Sequence, residues 1–330
     1  MFAATLLLVA LGASVVADAP ARDATAATET KPAEPALDRS RDVVTDVVTR
    51  SAQAVDNLFG SRAVDESVSV SRGRISLGGQ WDDRNGFDER FRLKARIALP
   101  GIKDRYSLLL GRSNADDFVD GLDDQNIDRL PSRFDDFDED DWLIGVGYRR
   151  GGSLRRGWNF DAGIKLRTPL EPYVRANYFW NRSFGDQWLW RLRPRLFWQS
   201  QRGSGASVQQ TIDYALARNW LLRSYSIFVV DEEERGVTWT TKFTGYQNLS
   251  ELSAIAYSAY ANGKPEAEVS LLDYGLEVRY RRQFLRDWFF VEFLTYLSWP
   301  REFVSESREP TPGIGIEFEM QFGDWSRAPE

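Results

Sequence analysis

The segment from Phe87 to Leu99 alternates without a break: Phe91, Leu93, Ala95, Ile97 and Leu99 are apolar, and Arg90, Arg92, Lys94 and Arg96 between them are basic. In an extended chain successive side chains point to opposite faces, so one face of this segment is hydrocarbon and the other is charge. A soluble sandwich has no place for such a strand, because its apolar face needs a second sheet and its solvent face carries mixed polar residues. A barrel in a membrane has one, with the apolar face against lipid and the charged face towards an aqueous lumen. The fold class that follows is all-β, a transmembrane antiparallel up-and-down β-barrel.

The period of two recurs from Ser67 onwards, over 69–82, 87–99, 104–113, 141–150, 157–168, 172–183, 187–200, 206–217, 220–231, 236–248, 251–262, 269–283, 286–299 and 312–323. These segments predict fourteen strands within a barrel domain at 67–325, or twelve if 69–82 and 104–113 are not both in the wall. An even number returns both ends of the chain to the periplasm. Connections after even-numbered segments are brief, as at Arg218 and Asn219, whereas several after odd-numbered ones are long and polar, such as 114–140 and 300–311. Short turns belong to the periplasmic side and long loops to the outside. The tight turn from Thr168 to Glu171 departs from this rule.

The chain holds 12 Trp, 12 Tyr and 20 Phe. Trp142, Trp158, Trp180, Trp188, Trp198, Trp220, Trp239 and Trp299 fall near segment ends, as do Trp81 and Trp288, and Trp325 follows the last segment. An indole prefers the headgroup level, so this placement reads as two membrane girdles, where a soluble protein would spread Trp through strand centres. After the N-terminus no run of about 18 apolar residues occurs that would serve as a membrane-spanning helix.

Ahead of the strands, Met1 to Ala19 reads as a secretory signal with an apolar core from Leu6 to Leu11 and cleavage after Ala17 or Ala19, although no Lys or Arg precedes the core. A spanning anchor is the rival reading, and the run is short for one. Residues 20–37, rich in Ala, Thr, Pro and Glu, predict a disordered tether. In 38–60, Val44, Val47, Val48, Val55, Leu58 and Phe59 recur at helical spacing and predict a short amphipathic periplasmic helix. It either rests on the barrel mouth or inner leaflet, or serves as a plug or a dock for a periplasmic protein.

With no cysteine and no histidine, the chain has no disulfide, no thiolate or imidazole metal site, and no Ser-His or Cys-His dyad. The expectation is a protein that is not an enzyme and holds no cofactor. The carboxylates Glu317 and Glu319 sit two apart on one strand, which is equally how a lumen wall looks. Gly145-Val146-Gly147 lies within a strand, not at a nucleotide-binding turn. Nucleic acid is excluded as a partner by the net charge of −7 and by the export signal.

On the face assigned to the lumen, bases gather in rows: Arg72 and Arg74; Arg90, Arg92, Lys94 and Arg96; Lys165 and Arg167; Arg191, Arg193 and Arg195; Arg279 and Arg281. Acids on that face are Asp161, Asp213, Asp273, Glu277, Glu317 and Glu319. Two readings stand. One is a pore whose arginine ladder draws small anionic solutes by focusing its field; the other is a wall cross-braced by Arg-carboxylate pairs. Barrels of about eight strands are filled by their side chains and those of 16 to 18 are open, which leaves fourteen between.

The loop at 114–140 and its margin carry Asp116, Asp117, Asp120, Asp123, Asp124, Asp128, Asp135, Asp136, Asp138, Glu139, Asp140 and Asp141 against Arg129 and Arg133. Three readings are open: divalent cations bridging to lipopolysaccharide phosphates, a solvated acidic run, or a loop that folds onto the Arg rows. The spacing is not that of an EF-hand, so no specific metal site follows.

The last segment, Gly313-Ile314-Gly315-Ile316-Glu317-Phe318-Glu319-Met320-Gln321-Phe322, ends in an aromatic residue. It resembles the C-terminal strand signal of Gram-negative outer-membrane β-barrel proteins, with Phe322 or Trp325 in the terminal place and the tail from Ser326 to Glu330 departing from it. The chain resembles that class in general and no narrower family. The resemblance implies a cell outer-membrane location, contact with outer-membrane lipid and lipopolysaccharide, and the barrel-assembly machinery as a partner during biogenesis. The barrel enzymes of that membrane resemble each other in needing a histidine, which this chain lacks. The functional expectation is a passive channel for small polar or anionic solutes, with a non-conducting barrel that docks a periplasmic partner as the alternative.

Overall fold

The computed structural model describes residues 72–98, 106–112, 142–153, 155–185, 187–233 and 236–323. The expected signal peptide, tether and N-terminal helix, the acidic loop and Trp325 lie outside the described residues. Fourteen strands are seen: β1 (Arg72–Asp82), β2 (Gly86–Ala98), β3 (Tyr106–Arg112), β4 (Trp142–Ser153), β5 (Arg156–Leu166), β6 (Glu171–Phe184), β7 (Trp188–Gln199), β8 (Gly203–Ala217), β9 (Trp220–Asp231), β10 (Val237–Ser250), β11 (Ser253–Gly263), β12 (Leu271–Gln283), β13 (Phe289–Ser298) and β14 (Thr311–Gly323). Their bounds differ from those read off the alternation by a few residues at most. Each strand pairs antiparallel with its neighbours in sequence, and β14 pairs with β1 to close the barrel.

Closure runs without a slip from Arg72 opposite Gly323 to Asp82 opposite Gly313. In hydrocarbon every strand N–H and C=O must find a protein partner, and a closed sheet supplies them with no edge left over. Phe322, the terminal aromatic of the sequence signal, lies opposite Gly73, where a methyl group would run into its ring. Phe87 over Gly79 and Phe179 over Gly157 repeat the device, each ring within 2.5 Å of where a Cβ would stand. A large ring thus covers backbone that its own strand neighbour leaves bare.

The two faces of the wall invert the usual order of a soluble protein. Outward positions such as Leu77, Val146, Phe160, Leu196, Phe243 and Phe318 are exposed, whereas Arg74, Lys94, Arg175, Lys242, Glu277, Arg281 and Glu319 are buried inside. An exposed apolar surface of this extent belongs against lipid. Tryptophans near the strand ends are on the outward face. Trp142, Trp198, Trp239 and Trp299 lie towards the end with long loops, and Trp158, Trp180, Trp188 and Trp220 towards the end with short turns.

Loop lengths follow the expected asymmetry only in part: β11–β12 and β13–β14 are joined by longer loops, whereas β1–β2, β5–β6 and β7–β8 on the same side are joined by tight turns. The β1–β2 turn is set by Asp82, whose carboxylate accepts the backbone N–H of Arg84 at 2.9 Å and of Asn85 at 2.6 Å before Gly86 turns the chain at φ 78°. The longest described loop, between β13 and β14, is held down at several points. Arg308 donates to the carbonyls of Trp299 and Leu271 and lies over the Tyr274 ring. The Glu306 carboxylate accepts the N–H of Glu302 at 3.0 Å and of Phe303 at 3.4 Å, and Arg84 reaches it from the neighbouring turn at 3.2 Å.

Two predictions follow from this arrangement. Phe243, 59% exposed, is mid-strand on the lipid face, and Leu249 is near the short-turn end of the same strand. Phe243→Arg is expected to cost about 2–4 kcal/mol and Leu249→Arg about 0–1, read from urea unfolding in lipid vesicles. Equal costs would mean that β10 does not cross the bilayer at the assigned depth. The second concerns Glu306, whose acidity is raised by the Glu302 N–H first, then by Phe303 and Arg84. A carboxyl held below its ordinary range stabilises the loop above that range and stops doing so as the pH falls through the lowered value. Amide exchange at Glu302 and Phe303 is expected to accelerate only there, below the normal carboxylate range.

Candidate functional site: the lumen wall

Strand parity decides which residues face the interior. On β1 and β2 the even positions do, which brings in Arg74, Arg90, Arg92, Lys94 and Arg96; on β5 to β7 the odd ones do, which brings in Asp161, Lys165, Arg167, Glu171, Arg175, Arg191, Arg193 and Arg195. On β12 to β14 the interior set includes Asp273, Glu277, Arg279, Arg281, Glu292, Glu317 and Glu319. The expected lumen residues named here thus lie at inward positions of their strands. Between these arcs β8 to β11 present mostly neutral groups, among them Gln209, Thr211, Thr244, Ser258 and Asn262.

The acids do not stand alone. An alternating chain of ion pairs crosses the inner wall from β10 to β1. Lys242 Nζ is 3.0 Å from Glu277, which also accepts Arg279 Nε at 2.7 Å. Arg279 and Arg281 hold Glu292 from either side at 3.5 and 3.4 Å. Arg281 goes on to Glu319 at 2.7 Å, and Arg74 approaches the same carboxylate at 3.9 Å across the closing seam. Lys242 reaches past β11 because small Ser258 stands opposite Glu277. Lys242 and Glu277 are wholly buried.

The register also sets Glu292 directly opposite Glu317, a like-charged pair that is destabilising by itself. Arg279 and Arg281 bound it on one side and Arg92, 3.3 Å from Glu317, on the other. Gly78 and Gly315 leave a cavity of about 30 Å³ beside the two carboxylates, room for a single water molecule.

A second cluster joins β7, β8 and β9, where Asp213 accepts Arg191 at 2.7 Å and Arg223 in two bonds of 2.6 and 3.0 Å. The fork geometry of Arg223 makes this a bidentate, charge-assisted contact. Arg195 donates to Asn177 at 2.8 Å. Glu171 sits between Arg167 at 2.5 Å and Lys165 at 3.5 Å.

Several interior residues were not singled out from the sequence: Arg175, Glu171, Arg223, Lys242 and Glu292. Each has the inward parity of its strand, and each escaped notice because it is a lone charge, not part of a row at i, i+2. The inner face is also less purely charged than the alternation of Phe87 to Leu99 suggests. Leu109, Leu143 and Tyr173 form one buried inward cluster, and Leu221 and Tyr246 form another with Ala215, Ala254 and Ala256. In a barrel of this girth side chains fill part of the interior, and apolar ones fill it by packing on one another. Among the described residues no group of three or more carboxylates gathers as a metal site.

The cost of breaking the chain of ion pairs is measurable. Glu277→Leu leaves Lys242 buried without its 3.0 Å partner and is expected to destabilise the barrel by about 3–5 kcal/mol. Adding Lys242→Met should recover much of that loss, since an apolar pair of similar volume costs less than one stranded charge. A double variant as unstable as the sum of the two single ones, by denaturant titration in vesicles, would show that the pair is not coupled.

No protein-family model matches the sequence, and no curated protein matches it. Solved structures similar to it include outer-membrane β-barrel proteins. OmpT, an outer membrane protein of Vibrio cholerae, is 10% identical over 76% of this chain and 96% of its own, with a TM-score of 0.45. The outer membrane channel DcaP of Acinetobacter baumannii is 8% identical over 76% of this chain and 96% of its own, with a TM-score of 0.47. The KdgM porin is 7% identical over 74% and 98%, with a TM-score of 0.35.

Proposed function

We propose that this barrel is a narrow passive pore of the outer membrane of a Gram-negative bacterium, reached by export on a cleavable signal, and that it passes small anionic solutes. The observation that carries the reading is the distribution of charge on the inner wall. The acids Glu277, Glu292, Glu317 and Glu319 are concentrated on β12 to β14, together with Arg279 and Arg281. Beyond Arg74 and Arg92, which face those acids, the arcs of β2 and β5–β7 present Arg90, Lys94, Arg96, Lys165, Arg167, Arg175, Arg191, Arg193 and Arg195 against few carboxylates. A wall of one prevailing sign in a passage with low-dielectric sides concentrates counter-ions and speeds their entry. The neutral hydroxyl and amide groups of β8 to β11 offer exchangeable hydrogen bonds to a polar solute, so its hydration is replaced in part without tight binding. Such a pore has no step that needs a catalytic group or cofactor.

A second reading rests on a specific observation too. The unbroken chain from Lys242 to Arg74 is buried and braces the wall across its seam, as in a barrel built for rigidity and for docking a partner. Planar-bilayer recordings of the refolded protein under a salt gradient separate the two. Steady conductance with a reversal potential favouring anions is expected, and Arg191→Gln, Arg193→Gln and Arg195→Gln together should reduce the anion preference several-fold. A barrel that is demonstrably folded yet silent would overturn the pore and leave the braced, non-conducting one.

A further inference from the structure

The outward face of β4 to β7 carries a feature that neither lumen reading uses. Wall residues Tyr148, Phe160, Leu196 and Trp198 enclose a groove of about 490 Å³ whose floor is made by the small side chains of Ala162 and Ala176. Strand register fixes what lies below it. One pleat towards the short-turn end comes the row Arg150, Trp158, Tyr178; the next is Arg156 and Trp180; then Arg182 and Trp190. Side chains two residues apart on a strand are about 7 Å apart, so Arg150 stands about 7 Å below Tyr148 and the three arginines descend in steps from the mouth of the groove.

All three arginines are exposed and outward. Each step is backed by aromatic rings: Trp158 and Tyr178 are 4.9 Å apart, Trp180 and Trp190 4.9 Å, and the Arg182 guanidinium lies 4.8 Å over the Phe184 ring. Depth follows from β5. Its outward residues from Trp158 to Leu166 are apolar over roughly 27 Å of strand, or ~21 Å of membrane at a tilt of about 40°, which nearly fills the apolar band of a barrel. The arginines therefore sit at the headgroup level of the leaflet on the short-turn side, where an outward charge is tolerated and phosphate is at hand.

We infer that this face is a binding site for an anionic glycerophospholipid of the periplasmic leaflet, with an acyl chain in the groove over Ala162 and Ala176 and the phosphate on Arg150, Arg156 and Arg182. A guanidinium forks onto phosphate oxygens and also stacks on aromatic rings, which a Lys in the same place would not do. Charge complementarity selects the headgroup and the groove orients the chain, so the two halves of the site match the two halves of the ligand. The inference depends on the barrel and its orientation, not on whether the lumen conducts.

The test offers the full chain, folded in detergent micelles, equal amounts of phosphatidylglycerol and phosphatidylcholine with the same acyl chains, and counts retained lipid by native mass spectrometry. Phosphatidylglycerol is expected to be retained several-fold over phosphatidylcholine, and the preference should vanish when lipid is loaded at about 1 M salt, where charges are screened within roughly 3 Å. R150Q, R156Q and R182Q combined should equalise the two lipids; if that variant does not fold, R182Q alone, at the rim, should lower the preference. A162F with A176F, which fills the groove, should reduce retention of both lipids. Equal retention by the unaltered protein, or a preference that persists in the folded triple variant, overturns the site.

Discussion

Everything in this molecule depends on the demand that no backbone hydrogen-bonding group be left bare in hydrocarbon. An open sheet of fourteen strands would leave two edges, and the pairing of β14 with β1 removes both. Once the sheet is closed, parity assigns every side chain to lipid or lumen, and a slip of one residue would turn Arg90, Arg92, Lys94 and Arg96 out into the membrane. Register is thus enforced by the solvent on each side of the wall more than by any single contact. The glycines covered by rings at Gly73, Gly79 and Gly157 are a local cost of the same constraint, met by a neighbour's aromatic side chain.

The inner wall adds a second level of order to that frame. Arg281, Glu319 and Arg74 join β12, β14 and β1, so the ion-pair chain bridges the place where the last strand meets the first. That seam brings together residues far apart in sequence, whose contact costs the most loop entropy to form. Charged partners waiting on both sides reward the correct register there, since a shift would leave buried guanidinium and carboxylate groups unmatched.

How much of this could be read from the sequence differs by level. Alternation is local, so the strands and their count were legible: Phe91, Leu93, Ala95 and Ile97 against Arg90, Arg92, Lys94 and Arg96 define a strand without any knowledge of its neighbours. The lumen rows were legible for the same reason. Pairing was not, because Lys242 meets Glu277 by reaching past an intervening strand at Ser258, and nothing in the local pattern of β10 announces that reach. The inward apolar clusters at Tyr173 and Tyr246 were hidden too, since a tyrosine on the polar parity of a strand reads as another lumen hydroxyl. Arg150, Arg156 and Arg182 break the apolar parity of their strands, and that departure was a signal. Its meaning emerges only when register stacks the three beneath one groove.

On the proposed reading, bracing and passage divide the wall between them. A buried ion pair is no more stabilising than an apolar pair of the same shape, so stability alone is a weak reason to line β12 to β14 with Glu277, Glu292, Glu317 and Glu319. An apolar lining there would exclude water from the passage and act as a dewetting barrier. Pairing those acids with Arg279, Arg281, Arg74 and Arg92 keeps that arc polar while cancelling its charge locally. The field of the lumen is then set by β2 and by β5 to β7, where bases prevail, and an entering anion meets attraction from one side of the barrel and near-neutrality from the other. Such a one-sided field draws a solute in without enclosing it in a ring of opposite charge, which would hold it too tightly to leave.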